Sequence, residues 1–370
     1  MSDLRVAYTI EQLWHRVPGG TATAALRLAE ALQNTRRVAV VGVSARHPFA
    51  GDQAPPTLPT RQLFLPRPIL YESWHTFRWP SVRTVVPDAE VAHATTLAVP
   101  PADLPLVVTL HDLAFLRHPS CFTRRGLRLF FRGLRLAAEE ADLVLCSSRF
   151  TLDDALDAGV PAEKLRLVYL GVDPPRGRDD DVEVEGVLAR YGIDAPYVLW
   201  VGTDEPRKNL RTLVSAWSGL QHPVHLVLVG PAGWGFRDVA SAGTARGAGG
   251  GRMIRCGFVP AADLDALYRG ASVFCYPSYT EGFGLPVLEA MVRGVPVVTS
   301  AGTAMEETVG AAGLLVDPRD ASGLAAALDR VLGDRVLASE LSEAGRLRAA
   351  EFTWEKTAAA TLEAYEEVSR

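Results

Sequence analysis

Short apolar runs rich in Val, Leu and Ile recur along the chain, each followed by a Gly-rich or polar loop and then by apolar residues at helical spacing. This alternation marks parallel βαβ units, whose strands are buried on both faces and therefore read as continuous apolar runs. In the first half it predicts strands over residues 5–10, 37–43, 106–110, 143–146 and 165–169. In the second half it predicts strands over 197–201, 225–229, 253–256, 272–276, 295–299 and 313–316, so each half can build its own sheet. The stretch from Asp173 through Asp181 is rich in Pro and charge and lacks apolar periodicity, which marks an interdomain linker. The expected organisation is a first α/β domain over 1–172, a linker over 173–184, a second α/β domain over 185–351 and a terminal segment over 352–370. Residues 240–251 are nearly all Gly, Ala and Ser, and read as a mobile surface loop.

Length and composition support two domains. A chain of 370 residues exceeds one ordinary core, and 48% hydrophobic with 22% charged residues is the balance of a soluble globular protein. The net charge of -5 argues against a general nucleic-acid binder, which needs a basic surplus to neutralise phosphates. Any anion site must be local. Cys121, Cys146, Cys256 and Cys275 form no C-x-x-C pair, so neither a disulfide framework nor a zinc site is expected, and a reducing compartment fits. The N-terminus runs from Met1 to Arg5 without a basic-then-apolar export segment, and no run approaches the roughly 18 apolar residues of a membrane span. A cytoplasmic location follows as the expectation.

In open parallel sheets ligands sit beyond the carboxyl ends of the strands, so the loops there are where chemistry is sought. The first such loop holds Gly19 and Gly20 ahead of a helix pattern over 24–32. Glycines admit a close ligand and the helix start offers unpaired N–H groups to phosphate, although an ordinary strand-to-helix turn accounts for them equally well. In the second, His111 follows an apolar strand and precedes Asp112; it can bond a sugar hydroxyl or a phosphate, or serve as a satisfied capping histidine. The third places Arg207 and Lys208 before a helix over 210–217. A guanidinium fork, an ammonium and a helix N-terminus together stabilise a departing diphosphate in place of a metal, while an isolated Arg-Lys pair is more often a pair of solvated loop charges. The fourth runs from Tyr276 to Glu289, with Pro286 suited to a first helical turn. It puts Glu281 in the preceding loop and Glu289 in about the first turn, where each carboxylate can accept hydrogen bonds from vicinal hydroxyls. The N–H groups of Gly282, Phe283, Gly284 and Leu285 add an anion nest, and for Glu289 alone a helix-dipole role is the plain alternative.

Together these loops resemble the GT-B glycosyltransferases, specifically retaining family 4, whose mark is a Glu-x7-Glu segment; Glu281 and Glu289 stand at that spacing. The likeness covers most of the chain, including Gly19-Gly20, His111-Asp112, the segment from Ser147 to Thr151, Leu170 to Asp173, Arg207 to Asn209, and Glu281 through Val298. It implies two Rossmann-like α/β domains facing a central cleft, with the helix over 354–368 returning to the first domain. By the same resemblance Arg207 and Lys208 hold the donor diphosphate, Glu281 the donor sugar and Glu289 the nucleotide ribose. Gly19 and Gly20 face the phosphates, and His111 contacts the sugar near the reacting carbon. The reaction implied is metal-independent and retaining, with a nucleotide diphosphate sugar as substrate and no cofactor, and a saccharide or lipid-linked acceptor in bacterial cell-surface glycan synthesis. A general likeness to bacterial polysaccharide mannosyltransferases suggests GDP-mannose.

Two other readings share these residues. A glycoside hydrolase would use Glu281 and Glu289 as acid and nucleophile, but a hydrolase must protonate its leaving group whereas a diphosphate needs only cations, so the Arg-Lys pair favours transfer. A nucleotide-sugar-binding module without turnover would keep the pocket and have no need of His111. Separately, Arg117, Arg124, Arg125, Arg128, Arg132 and Arg135 crowd a stretch without acidic residues. A helix there sets Leu127, Phe130, Phe131 and Leu134 on one face against arginines on the other. Such a helix can rest on an anionic inner membrane leaflet; an arginine-rich solvent face on a core helix is the favoured alternative.

Overall fold

The structure is a computed structural model that describes residues 4–15, 19–47, 58–175, 181–233 and 246–370. It divides into two compact units, one built from Met1–Gly171 with Thr353–Arg370 and the other from Val172–Phe352.

The first unit contains β1 (Leu4–Thr9), α1 (Gly19–Asn34), β2 (Val38–Ser44), β3 (Thr60–Gln62), α2 (Arg67–Thr76), β4 (Val91–Ala94), β5 (Leu106–Leu110) and α3 (Ala114–Arg117). These are followed by α4 (Arg124–Glu140), β6 (Leu143–Cys146), α5 (Arg149–Asp157) and β7 (Leu165–Leu167). Its strands form one parallel sheet in the order β3-β2-β1-β4-β5-β6-β7. β1 lies between β2, with Val6 opposite Val40, and β4, with Tyr8 opposite His93. Because helices cover both faces of such a sheet, Val107, Val108, Val144 and Leu106 are fully buried, which is why these segments read as unbroken apolar runs.

The second unit holds α6 (Asp181–Arg190), β8 (Tyr197–Val201), α7 (Leu210–Ser218), β9 (His225–Val229), β10 (Met253–Gly257), α8 (Ala261–Arg269) and β11 (Val273–Tyr276). It continues with α9 (Leu285–Val292), β12 (Val297–Ser300), α10 (Ala304–Val309), β13 (Leu314–Val316), α11 (Ala321–Gly333) and α12 (Arg335–Ala349). The sheet is again parallel, ordered β10-β9-β8-β11-β12-β13. Trp200, Phe274 and Tyr276 are buried at its centre, and Trp217 of α7 is buried too. The chain then re-enters the first unit as α13 (Trp354–Val368), which packs on α1 and is tied there by the Thr357 hydroxyl donating to the Tyr169 carbonyl at 2.8 Å.

Both sheets reverse strand order once, between β1 and β4 and between β8 and β11. Loops leaving the carboxyl ends on either side of such a reversal splay apart and leave room for a ligand. In the second unit those two loops carry Arg207-Lys208 and Glu281.

Several elements depart from the pattern-based expectation. β3 and β4 were not signalled: Thr60–Gln62 is short, polar and only partly buried, and is held by pairing with β2, while Val-Ala-His-Ala carries little apolar volume and is a strand through its burial between neighbours. α6 starts at Asp181, inside the stretch expected to be linker. α1 starts at Gly19 rather than at residue 24, so Gly19 and Gly20 form its first turn instead of a preceding loop; Gly19 has φ +65°, a value that favours glycine. Of the expected mobile loop over 240–251, residues 240–245 lie outside the described residues. The remainder is pinned: Ala248 and Gly249 donate to the carbonyls of Ser218 and Leu220 at 3.0 Å, and a Cβ on Gly251 would stand 1.8 Å from the Val224 carbonyl oxygen. Those glycines serve close backbone approach.

Candidate active site

In the second unit, β8 runs out into Glu205, and Pro206–Lys208 then form one 3-10 turn before α7. Proline pre-sets the turn, and Asn209 closes it in the left-handed region at φ 54°, a conformation Asn tolerates better than other side chains. The Asn209 amide locks the turn by donating to the carbonyls of Pro277 at 2.9 Å and Pro318 at 2.6 Å. Tyr279 N–H donates to the Arg207 carbonyl at 2.8 Å, stitching this turn to the loop after β11.

That stitching brings the cations onto Glu281. Arg207 Nη1 lies 3.1 Å from Glu281 Oε2 and Lys208 Nζ 2.5 Å from Oε1. Arg207 also pairs with Glu205 at 3.0 Å, and Lys208 Nζ donates to the Tyr276 hydroxyl. Lys208 and Glu281 are each only 8% exposed, so neither is a solvated loop charge. Burial alone would raise the Glu281 carboxyl, but the Arg207 guanidinium and the Lys208 ammonium outweigh it and hold the group at about 2. Burial, followed by the neighbouring Arg207 charge, pushes Lys208 downward against the pull of Glu281. The cluster therefore gathers two cations and the carboxylates of Glu205 and Glu281 in a spot of reduced dielectric, where each acts more strongly than in water.

The chain then passes Gly282 and buried Phe283, whose carbonyl accepts from the Thr308 hydroxyl at 2.5 Å, to Gly284 at φ +91°. Gly284 caps α9, and a Cβ there would be strained by that φ and would also meet Met305 Cγ at 2.9 Å. Leu285 and Pro286 open α9, which places Glu289 at the start of its second turn, one step later than the spacing suggested. Glu289 Oε2 accepts from the Tyr268 hydroxyl at 2.9 Å, and burial raises its carboxyl.

In the first unit, His111 follows β5 directly. Burial lowers its pKa, against an upward pull from Asp112 and from a hydrogen bond to the Thr95 backbone, so the ring is neutral at neutral pH. Its Nε2 is shielded and bonded to no protein group, which leaves Nδ1 as the atom bonded to Thr95 and Nε2 with a lone pair to offer. Asp112 caps the next turn by accepting from Ala114 N–H at 3.0 Å. Gly19 and Gly20 are exposed at the start of α1.

The sequence did not single out Tyr276 as the Lys208 partner, Tyr268 as the Glu289 partner or Glu205 as the Arg207 partner. The Tyr276 position at a strand end was the available signal; Tyr268 stands near the carboxyl end of a helix and gave none. Among the described residues no group of three or more His, Cys, Asp and Glu is arranged to hold a metal ion, and no helix is long and apolar enough to cross a membrane.

On the basic helix, Leu127, Phe130 and Leu134 pack inward as expected, but Phe131 is 50% exposed and sits at the edge of the buried stripe, against Phe115 at 5.2 Å between ring centroids. Arg124, Arg125, Arg128, Arg132 and Arg135 face solvent, Arg132 pairing with Glu72 at 3.1 Å, whereas Arg117 turns to Asp154.

A model of Glycosyltransferase Family 4 matches residues 18–176, and one of Glycosyl transferases group 1 matches residues 195–334. O-antigen chain mannosyltransferase B of Escherichia coli is 34% identical over 267 residues, which are 70% of this chain and 69% of that protein. The MMP alpha-(1->4)-mannosyltransferase of Mycolicibacterium hassiacum is 30% identical over 311 residues, 76% of this chain and 70% of its own. The crystal structure of Anabaena HepE in complex with UDP and glucose matches with a TM-score of 0.76 at 20% identity, over 98% of this chain and 100% of that one, a likeness of fold. Two parallel α/β sheets of the GT-B kind, together with these relatives, lead to one conclusion: the chain is a glycosyltransferase and belongs to glycosyltransferase family 4.

Proposed function

We propose that this glycosyltransferase moves a hexose, and specifically mannose, from a nucleoside diphosphate to a saccharide or lipid-linked acceptor in cell-surface glycan synthesis, with retention of configuration and without a metal. The observation that carries this reading is the buried cluster of Arg207, Lys208 and Glu281 beside the reversal of the second sheet. A leaving diphosphate concentrates negative charge, and a preorganised guanidinium and ammonium in a dry site lower the cost of its departure at the moment of bond breaking. An arriving diphosphate competes with Glu281 for these cations. Once it takes them, the carboxylate oxygens are released to accept hydroxyls of the sugar. In this reading Glu289 accepts the ribose hydroxyls, the N–H groups from Gly282 to Leu285 add to the anion site, and Gly19 and Gly20 approach the phosphates. His111 offers Nε2 to a sugar hydroxyl near the reacting carbon.

For retention, the bond from the anomeric carbon to the phosphate oxygen breaks as the acceptor oxygen bonds the same face, and the acceptor proton passes to the departing phosphate. The choice of mannose draws on the E. coli and M. hassiacum relatives, both mannosyltransferases by name. A hydrolase reading is weaker, because a Glu281 carboxylate held at about 2 by two cations cannot supply an acid proton and is a poor nucleophile. Peripheral contact with an anionic inner leaflet, from which a lipid-linked acceptor is drawn, finds support in the exposed arginine row of α4.

The test is turnover of GDP-, UDP- and ADP-sugars by the purified chain, with the product anomer read by NMR. GDP-mannose is expected to turn over with retention, and Arg207→Ala or Lys208→Ala to lower kcat/KM by about 10²- to 10³-fold. An inverted product, or full activity in both variants, overturns the reading.

A further inference from the structure

Beneath Glu289 lies a frame of side chains that no motif marks. Tyr268, near the carboxyl end of α8, gives its hydroxyl to Glu289 Oε2 at 2.9 Å and also approaches the Pro286 carbonyl at 3.4 Å. The residue is 1% exposed, so that hydroxyl has no competing water. Its ring packs on Phe274 of β11 at 5.5 Å between centroids, and the Arg293 guanidinium covers it at 5.4 Å.

Arg293 is itself held. It donates to the Glu289 backbone carbonyl at 2.8 Å and pairs at 2.7 Å with Asp265, which is buried in α8 and pairs also with Arg269 at 3.0 Å. The Glu289 carboxyl is thus faced by Tyr268 from α8, by Arg293 from the turn after α9 and by Asp173 from the start of the unit. Burial raises the carboxyl most, Arg293 and the Tyr268 hydroxyl draw it back down, and Asp173 adds an upward push.

Given Glu289 as the donor-ribose contact proposed above, we infer that Tyr268 is a positioning residue for the nucleotide: it occupies one carboxylate oxygen, fixes the side-chain rotamer and directs the other oxygen to the ribose diol. A hydroxyl that bonds the charged form also favours the ionised carboxylate, which accepts from the ribose hydroxyls more strongly than the neutral acid does. Arg293, braced by Asp265, sets the end of α9 from which Glu289 projects.

The experiment measures donor KM and kcat between pH 5.5 and 9 for the wild-type chain, Tyr268→Phe, Glu289→Gln and the double variant. Phenylalanine keeps the ring and its contacts with Phe274 and Arg293, and circular dichroism checks that the fold is retained. In Tyr268→Phe, donor KM is expected to rise by about five- to tenfold with kcat within about twofold of wild type. The pH at which KM climbs on the acid side moves upward, because the lost hydroxyl had favoured the charged carboxylate. In the Glu289→Gln background the same change adds less than about twofold, since its effect passes through the carboxylate. An unmoved acid limb, or an undiminished effect in the Gln background, reduces Tyr268 to packing and overturns the inference. A wild-type donor KM in Glu289→Gln instead removes the ribose contact itself, a failure of the underlying reading that is told apart by that single variant.

Discussion

At the scale of single residues, Glu281 is the hinge of the site, because one buried carboxylate pairs with two cations, the buried Lys208 and the half-buried Arg207, whose other partner is Glu205. Breaking such a buried pair from one side leaves an uncompensated charge, so Glu281→Gln should lower unfolding free energy near pH 7 by about 3 kcal/mol. The pH dependence follows from the direction of the shift. The folded carboxyl titrates at about 2 against a reference of 4.5, so the unfolded chain takes up the proton first as pH falls. The stabilisation is fully present above about 4.5 and is lost on the way down to 2. Urea unfolding across that window should therefore show wild type and Glu281→Gln converging, and a constant gap between them would contradict the pairing. Arg207, Lys208 and Glu281 could be picked out in the sequence as candidates because each stands in a loop after a predicted strand, and the structure brings the three together. Tyr276, Glu205 and Tyr268 could not be, since a tyrosine on an apolar face looks the same whether or not its hydroxyl has a polar partner.

Among the elements, α4 is the one whose pattern says most and whose surroundings decide its meaning. Thr123 caps it by accepting from Gly126 N–H at 3.1 Å, and Gly133 lets its backbone close on Leu97, where a Cβ would stand 2.1 Å from the carbonyl oxygen. The inner stripe is thereby fixed and the arginines are turned outward. If that face meets anionic lipid, the chain should float with vesicles containing phosphatidylglycerol at low salt. Arg128→Glu with Arg135→Glu should then cut the bound fraction at least about tenfold, each basic residue near the surface contributing on the order of 1 kcal/mol. Equal flotation of wild type and variant, or none in either, would leave α4 as a core helix with an arginine-rich solvent face. The strands with unbroken apolar runs were read to within about two residues, whereas α2, α5, α8 and α10 to α12 were given no range; β3, β4 and the early start of α1 were missed because short polar, small-residue or Gly-rich segments acquire their conformation from neighbours rather than from propensity.

For the whole molecule, the path of the chain matters as much as the sheets. The first unit is completed only by α13, whose Tyr365 hydroxyl bonds buried His93 Nδ1 at 2.6 Å while His93 Nε2 bonds the Thr109 hydroxyl at 2.7 Å, two residues from His111. A chain stopped after Phe352 should keep hydrogen-exchange protection in β8, β9 and β11 and lose it in β1, β4 and α1, which Tyr365, Ala358 and Leu362 help to bury. Uniform protection in both units would show that α13 is dispensable to the first. What the amino-acid order determined by itself was the class of architecture and the chemistry on offer. Buried parallel strands need unbroken apolar runs, and charged residues in the loops after those runs stand out as candidates, so both leave local marks. Only the tertiary structure decided which charges meet. The 3-10 turn locked by Asn209 and its stitch to Tyr279 place Arg207 and Lys208 on a carboxylate more than 70 residues away, and the contact between α8 and α9 gives Glu289 its tyrosine. Pairings of that kind arise from packing between segments distant in sequence, where no spacing along the chain can record them.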